Sequence, residues 1–228
     1  EYLEKVPTGE FPFMGTSCCF SWKMMVRKKF PDINEYISES STPMIYTGLQ
    51  LKKKDPNCEI TFIGPCISKK LEALEPEVAE IIDFVITYEE LLGMFLAKGI
   101  EPSEIEVDEV MMDASETGRY YAVGGGVAEA VVRRAQEIKP GIEIDVEAAD
   151  GLANCVKLAQ MAKLGRKDGK LIEGMACQGG CVGGPGVVIA DNKTSKAVKA
   201  FSKASEFKSP ADNIHIPAED RPNDDLLK

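Results

Sequence analysis

Two cysteines, Cys177 and Cys181, lie four residues apart in the stretch GMACQGGCVGGPG at 174–186, which also contains six glycines. Paired thiolates can ligate a structural zinc ion, form a redox dithiol or hold an iron–sulfur cluster. The C-x3-C spacing does not match the C-x2-C spacing of thioredoxin-type dithiols or of zinc knuckles. The glycines favour a cluster, because bare backbone can approach a bulky inorganic group and donate N–H groups to its sulfides.

The remaining cysteines are spread along the chain, so further ligands must come from distant segments. Cys66 follows the apolar run CEITFIG at 58–64, and Cys177 follows KLIEGMA at 170–176; both runs are predicted strands. Ligand sites in parallel sheets lie beyond the carboxyl ends of strands, so these two segments are expected to meet. Cys18 and Cys19 precede a predicted helix, whose free N–H groups favour thiolates.

We therefore expect four thiolates to converge: one of Cys18 or Cys19, then Cys66, Cys177 and Cys181. Four thiolates suit a 4Fe–4S cluster or a tetrahedral zinc ion. The glycines favour the cluster, with zinc and unligated thiols as the alternatives. The other two thiols, at 58 and 155, are interpreted as buried structural cysteines, because they lie at a strand start and on an apolar helical face.

Composition excludes several classes of partner. The chain has 228 residues and a formal net charge of −10, which argues against nucleic acid because phosphate binding depends on Lys and Arg. No apolar run approaches the ~20 residues of a membrane helix, and no signal peptide is visible, so no membrane partner is expected. Seven cysteines, an odd number, indicate a reducing compartment and a cytoplasmic location. The single histidine, His215, lies in a polar stretch and is interpreted as a surface residue.

Strands alternate with helices, which predicts an α/β fold with a mostly parallel sheet flanked by helices. The predicted strands are 58–64, 81–87, 142–149, 170–176 and 186–191. The predicted helices start near Cys18 and after Asp32, and also cover 88–99, 127–141 and 151–165.

Three ordered segments resemble the signature motifs of the iron-only (diiron) hydrogenases: TSCCFSW at 16–22, GPCISKKLE at 64–72 and EGMACQGGCVGGPG at 173–186. The family patterns are roughly TSCCPxW, MPCxxKxxE and ExMACxGGCxxGGG. The likeness covers about residues 11 to 190, and three ordered motifs are far more specific than one. It implies a two-lobed catalytic domain that reversibly reduces protons to H2 with ferredoxin or another one-electron carrier.

Carried onto this sequence, the resemblance implies that Cys19, Cys66, Cys177 and Cys181 hold a 4Fe–4S cluster. Cys181 would also bridge to a diiron subcluster that carries CO, cyanide and azadithiolate ligands.

The resemblance also assigns roles around that subcluster. Cys18 would pass protons to its amine, and Ser38 would extend the proton route. Lys69 would hydrogen-bond a cyanide and Glu72 would support Lys69. Met175 would pack beside the diiron site.

Several positions depart from the family pattern. Phe20 stands in place of a proline, Met44 in place of a glutamine, and Gln178 in place of a proline, while Pro185 interrupts the last glycines. Gly64 replaces a methionine, so one wall of the diiron pocket is expected to be missing or opened. Such changes around a metal site alter its potential and reactivity, which is typical of slow or hydrogen-sensing branches.

The resemblance implies a division into an α/β lobe at 1–172, a third motif of a second lobe at 173–202 and an extended polar tail at 203–228. A VAPAxR-like segment and ferredoxin-like cysteine modules are not found in the sequence. A further polypeptide completing the domain, a fragment, or a reduced form is therefore expected. The rival interpretation is an iron–sulfur scaffold or assembly protein that holds only the 4Fe–4S cluster; Cys18 and Lys69 argue against it, because the cubane alone needs neither.

Overall fold

The computed structural model describes residues 1–106, 113–189 and 191–214, with the side chains of 191 and 192 excepted. Its strands are β1 (Met14–Gly15), β2 (Thr61–Gly64), β3 (Phe84–Thr87), β4 (Val146–Asp150) and β5 (Leu171–Met175). Its α-helices are α1 (Tyr2–Lys5), α2 (Phe20–Lys29), α3 (Pro43–Lys54), α4 (Ser68–Glu72), α5 (Tyr88–Ala97), α6 (Glu116–Tyr120), α7 (Gly126–Ile138), α8 (Leu152–Lys163) and α9 (Asp191–Lys203).

The larger sheet has the order β1–β5–β4, and both of its strand pairs are parallel. Every residue of the central strand β5 is buried, because helices cover both of its faces. Successive strand residues point to opposite faces. Ile172 accordingly packs with residues of α2 and α8, such as Trp22 and Leu158, whereas Leu171 packs with Tyr2 of α1 and Ala128 of α7.

The smaller sheet consists of β2 and β3, paired in parallel. A separate apolar cluster lies beside it and includes Met44 of α3 together with Ile60, Val78 and Ile82. Helix α5 follows β3 directly, and its start is fixed by a capping box in which Thr87 and Glu90 exchange hydrogen bonds.

No membrane helix was expected from the sequence, and in the described part of the chain no helix has both the length and the apolar character needed to cross a membrane.

The predicted fold class, α/β with parallel strands flanked by helices, is confirmed. The predicted lobe boundary at 172 falls inside β5, and the division into lobes stays a prediction. The first and third cysteine motifs follow β1 and β5 of one sheet, whereas the second motif follows β2 of the other. The cysteine motifs therefore meet at the junction of the two sheets.

Three local predictions are wrong. The described residues 186–189 of the predicted strand 186–191 do not form a strand, because Gly186 bonds to Pro65 and Glu89 rather than to a neighbouring strand. The helix predicted after Asp32 is a 3₁₀ helix at Pro31–Tyr36. The predicted extended tail is not extended up to residue 214: α9 runs to Lys203, and the following turns pack on α6, where Ser205 and Ser209 are buried. His215 and the rest of the tail lie outside the described residues.

The strand β5 requires a glycine where it passes the single tryptophan. The Trp22 ring is held in place because its Nε1 donates to the Thr16 carbonyl over 3.0 Å, and an added Cβ at Gly174 would overlap that ring. We expect Gly174→Ala to lower the free energy of unfolding by about 1–3 kcal/mol, measured by denaturant titration.

The matched control is Gly93→Ala in α5, where an added Cβ meets nothing within 4 Å. That change should be neutral or stabilising by up to about 1 kcal/mol, because alanine favours helix. Equal stability of the two variants would contradict the packing constraint at Gly174.

Candidate metal centre

Each of the four thiols predicted to bind metal lies where a strand or helix fixes its backbone. Cys19 is the N-cap residue of α2, and Cys66 lies two residues beyond the end of β2. Cys177 follows β5 after one residue, and Cys181 begins the 3₁₀ turn Cys181–Gly183. All seven cysteines are free thiols.

These four thiols converge on one cavity of about 470 Å³, which all of them line. Burial raises the pKa of Cys19, Cys177 and Cys181, the last to about 12, and the neighbouring thiolates raise these values further. In every pair of these four cysteines, the charge of one thiolate raises the pKa of the other. All four are therefore within electrostatic reach of one another. A cationic inorganic group would remove this repulsion, because metal ligation requires and stabilises the thiolate form.

The thiols fit a cluster better than a single ion. Within the described residues no group of three or more His, Cys, Asp or Glu side chains could hold one metal ion. A tetrahedral zinc ion needs its thiolates about 2.3 Å from one centre. A cubane is a larger body that holds its thiolates further apart, so the zinc alternative is not supported by this arrangement, whereas the donor set fits a 4Fe–4S cluster.

The glycines of the third motif allow its loop to pack tightly against two other segments. Gly180 has a φ of 91°, and an added Cβ would lie 2.5 Å from the Gly124 nitrogen. An added Cβ at Gly184 would lie 2.5 Å from the Pro65 carbonyl oxygen. The sequence led us to expect that these glycines admit a cluster; in the structure, protein backbone makes the close approach at Gly180 and Gly184.

Two carboxylates that were not singled out from the sequence hold this region in place. Asp150, at the end of β4, accepts the Gly179 N–H at 2.8 Å. Glu173 is fully buried in β5 and accepts the N–H groups of Gly125 and Ala128, each at 2.7 Å. Burial raises the pKa of Glu173, although these N–H groups at the start of α7 oppose the rise. The signal for Glu173 was its position in the third motif, where the pattern contains a glutamate.

Cys18 and Lys69 line the same cavity as the four thiols. The Lys69 ammonium pairs with Glu72, which is 4% exposed, and donates to the Cys18 carbonyl over 3.4 Å. Burial raises the pKa of Cys18, and the neighbouring Cys19, Cys181 and Glu173 raise it further. Glu72 does not reach the cavity itself; it holds Lys69 there.

The apolar wall of the cavity contains Met175, which is 2% exposed at the end of β5, together with Met44 and Phe20. The sequence led us to expect a missing wall at Gly64. In the structure the Phe62 ring lines the cavity and lies 2.8 Å from where a Cβ of residue 64 would be. The bulk that the glycine lacks is therefore supplied from two residues earlier on the same face of β2.

Ser38 is buried but does not line the cavity. Its hydroxyl donates to the Glu1 carboxylate over 2.5 Å, and Ser40 donates to the same oxygen over 3.1 Å. Burial raises the pKa of Glu1, but hydrogen bonds from Ser38, the Glu39 N–H and Ser40 outweigh it and leave the pKa lowered. Glu1 was missed because 37 residues separate it from Ser38 and no local pattern links them.

Tyr121 also lines the cavity and was not singled out from the sequence. Burial raises the pKa of its phenol, and the charges of Cys18 and Glu173 raise it further. Tyr121 is therefore a neutral hydroxyl at the cavity wall.

A parallel α/β fold with four thiols that converge on one cavity has the features of an iron–sulfur protein. The chain matches the family described as "Iron only hydrogenase large subunit, C-terminal domain" over residues 1–185. It therefore belongs to the iron-only hydrogenase family, whose members bind iron–sulfur clusters.

Curated relatives fall into two groups. The chain is 30% identical to the "Periplasmic [Fe] hydrogenase large subunit" of Nitratidesulfovibrio vulgaris, over 82% of this chain and 56% of that protein. It is 27% identical to the "Cytosolic Fe-S cluster assembly factor narfl" of Xenopus tropicalis, over 80% of this chain and 48% of that protein. The chain thus spans about half the length of these relatives, which include both hydrogenases and assembly factors.

The fold is similar to that of a variant of the [FeFe]-hydrogenase HydA1 from Chlamydomonas reinhardtii. That structure has a TM-score of 0.72 and 21% sequence identity, and the match covers 93% of this chain and 72% of that chain. The likeness supports the fold described above.

The position of Phe62 predicts how easily a reagent reaches Cys66 in the cavity. We expect Phe62→Ala to open the wall beside Gly64, because no other side chain atom is among the nearest neighbours of an added Cβ there. In the metal-free protein, alkylation of Cys66 followed by mass spectrometry should become several-fold faster, and adding Gly64→Met should slow it again.

The control is Phe84→Ala on the paired strand β3, since Phe84 is exposed and does not line the cavity. It should leave the alkylation rate of Cys66 unchanged. An unchanged rate in Phe62→Ala would mean that Phe62 is not part of the barrier.

Proposed function

We propose that this chain carries the catalytic centre of an iron-only hydrogenase, which reversibly reduces protons to H2 with ferredoxin or another one-electron carrier. The observation that carries the proposal is the presence of a buried ammonium, Lys69, and a fifth thiol, Cys18, at the cavity that the four-thiol set lines. A cubane needs only the four thiols, so the additional groups point to a second, polar group beside it.

The residues fit the cofactor that the family resemblance implies. Cys19, Cys66, Cys177 and Cys181 would hold the 4Fe–4S cluster, and Cys181 would also bridge to the diiron subcluster. When bound, the diiron unit with its CO, cyanide and azadithiolate ligands supplies the redox chemistry.

Lys69 is suited to hold an anionic ligand such as cyanide. Its ammonium is a compact point charge with three N–H donors, and Glu72 and the Cys18 carbonyl account for two acceptors. Glu72 orients the ammonium and offsets its burial. Met175 and the apolar wall exclude water, which strengthens charge interactions inside the cavity.

Cys18 and Ser38 are suited to move protons. The Cys18 thiol lines the cavity, where it could pass a proton to a bound group. Ser17, the preceding residue, donates to the Ser40 carbonyl, and both Ser38 and Ser40 donate to Glu1. We infer that Glu1, Ser38 and Cys18 form the route by which protons reach the cavity.

The alternative is a family member that holds only the 4Fe–4S cluster, as an iron–sulfur scaffold or assembly protein. The similarity to the assembly factor from Xenopus tropicalis favours it. Lys69 and Cys18 favour the hydrogenase. The departures at Phe20, Met44 and Gly64 favour slow turnover or hydrogen sensing over fast catalysis. Free thiols are consistent with a cytoplasmic location.

Loading the cofactor tests the proposal directly. After anaerobic reconstitution with iron, sulfide and the diiron cofactor, we expect infrared bands of metal-bound CO and cyanide, four-thiolate cluster absorbance, and H2 production from a reduced viologen. Cluster absorbance without these bands would favour the assembly-protein alternative.

Two cysteine variants provide the matched control. Cys66→Ala should abolish cluster absorbance, because it removes one of four ligands, whereas Cys58→Ala should retain it, because Cys58 does not line the cavity. Zinc without iron or sulfide in the wild-type protein would contradict both functions.

Removing the proposed proton route gives a separate prediction. Cys18→Ala and Ser38→Ala should each keep the cluster absorbance and infrared bands but lower H2 turnover by about 10²-fold or more, since a positioned acid or base contributes that much. The measurement is H2 production with a reduced viologen.

Ser41→Ala is the control, because the described residues give Ser41 no hydrogen bond to Glu1. It should turn over at the wild-type rate. A wild-type rate in Cys18→Ala would exclude Cys18 from the proton route.

A further inference from the structure

One of the four thiols that line the cavity lies beside a hydroxyl group. The Sγ of Cys66 is 3.1 Å from the Oγ of Ser68, and in the metal-free chain either atom can be the donor. Cys19 also has a hydrogen bond, but its donor is the backbone N–H of Ala176 at 3.4 Å. Among the described residues, Ser68 is thus the one side chain that is hydrogen-bonded to any of the four sulfur atoms.

The segment that carries Cys66 and Ser68 is held at both ends. The Pro65 carbonyl accepts the Gly186 N–H at 2.9 Å. The Lys70 ammonium donates to a backbone carbonyl of β3 over 3.1 Å. The contact between the Cys66 sulfur and the Ser68 hydroxyl therefore lies in a stretch of backbone that is tied to its neighbours on either side.

The Ser68 hydroxyl has no visible structural task in its own helix. Ser68 is the first residue of α4, where a serine often accepts a hydrogen bond from the backbone of the first turn, but α4 has no side-chain cap bond. Within the described residues, the hydroxyl makes no hydrogen bond other than the one to Cys66. The sulfur atom is therefore the partner that accounts for a hydroxyl at this position.

Solvent offers the hydroxyl an alternative partner. Ser68 lines a second cavity of about 330 Å³ between α2 and α4, as well as the cavity of the four thiols. Leu71 and Leu74 line the second cavity and are 60% and 74% exposed, so this cavity is open to water. Ser21 likewise lines both cavities, but it makes no hydrogen bond to any of the four sulfur atoms in the described part of the chain.

Metal binding decides the direction of the bond. A cysteine that ligates iron is a thiolate and has no proton to give, so the Ser68 hydroxyl has to donate. A hydrogen bond to a charged acceptor is about twice as strong as one between neutral groups. The Cys66 thiolate is therefore a better acceptor for this hydroxyl than water in the second cavity.

We propose that Ser68 is a positioning residue that donates a hydrogen bond to the Cys66 sulfur and thereby raises the reduction potential of the 4Fe–4S cluster. The proposal rests on the proposed function only in requiring that cluster, which the hydrogenase and the assembly-protein alternative share. An added electron makes the sulfur ligands more negative, so the donated bond is stronger in the reduced form. The electron comes from an external reductant, and Ser68 keeps its proton throughout.

The test compares two serine variants of the full chain after anaerobic reconstitution with iron and sulfide alone. Ser68→Ala removes the donor and favours helix, whereas Ser21→Ala removes a hydroxyl that lines the same two cavities without touching a sulfur atom. The cluster is titrated with dithionite in the presence of redox mediators. Its reduced fraction at each potential is read from the visible absorbance and from the electron paramagnetic resonance signal.

At the midpoint potential of the wild type, we expect the ratio of reduced to oxidised cluster in Ser68→Ala to be about three- to tenfold lower. That corresponds to a midpoint about 30–60 mV lower, since a tenfold change is about 59 mV for one electron. Ser21→Ala should match the wild type. In D2O, electron–nuclear double resonance of the reduced cluster should show an exchangeable deuteron that is lost only in Ser68→Ala.

An isosteric pair separates the hydroxyl from the volume of the side chain. Ser68→Thr and Ser68→Val have nearly the same shape and differ in the hydroxyl, so we expect the threonine variant to keep most of the wild-type potential and the valine variant to lose it. This pair also decides the question if Ser68→Ala assembles no cluster. Equal midpoints in the threonine and valine variants would overturn the proposal, as would equal shifts in Ser68→Ala and Ser21→Ala.

Failure of the proposed function has a different signature. A wild-type protein that holds the cluster but shows no CO and cyanide bands after loading with the diiron cofactor is not a hydrogenase, and the Ser68 comparison is still decided by the titration. A wild-type protein that assembles no cluster overturns both the proposed function and the role of Ser68.

Discussion

Four thiols that share one cavity ionise together only when a cationic group lies among them, and the rest of the structure depends on this constraint. Each of Cys19, Cys66, Cys177 and Cys181 lies within electrostatic reach of the other three, and burial raises the pKa of Cys19, Cys177 and Cys181. Desolvation and like charges both oppose ionisation, so these three thiols stay protonated in the metal-free chain. A cationic cluster core would stabilise the thiolate form, so the arrangement suits a cluster. The fold has to hold the four sulfur atoms close together without a metal.

Close backbone contacts and two buried or partly buried carboxylates hold the cysteine segments in position. The third-motif loop touches the 122–124 turn at Gly180 and the second motif at Gly184, at distances that exclude any side chain. Asp150 and Glu173 then accept N–H groups that would otherwise be unpaired near the cavity, at Gly179, Gly125 and Ala128. Because the second and third cysteine motifs pack on each other's backbone, the loss of that contact would disturb the position of cysteines from both. This explains why the glycines are as informative as the cysteines in defining the site.

The sequence predicts which residues meet better than it predicts how the strands pair. The residue types and their order in short motifs do not depend on how the elements pack, so Cys18, Lys69 and the four cysteines that line the cavity could be singled out from motifs alone. Their roles as ligands and proton donors stay predictions. Contacts between distant segments could not: the link from Ser38 to Glu1 and the closure beside Gly64 by Phe62 have no local pattern. The division into two sheets was missed for a related reason. Strand periodicity reports burial along one strand and carries no information about which strands pair.

One charged residue among the described residues that line the cavity, Lys69, bears on the choice between the two proposed functions. Lys69 is buried, and an ammonium has three donors that need acceptors once water is excluded. Glu72 provides one acceptor and the Cys18 carbonyl a longer second one, while the lining of the same cavity includes apolar groups such as Met175 and Phe62. A cubane with four thiolate ligands has its coordination complete but carries net negative charge, so it would also attract an ammonium. An additional anionic acceptor beside the cluster would complete the ammonium's hydrogen bonds. The burial of the Lys69–Glu72 pair therefore favours the proposed hydrogenase over a protein that carries the cubane alone.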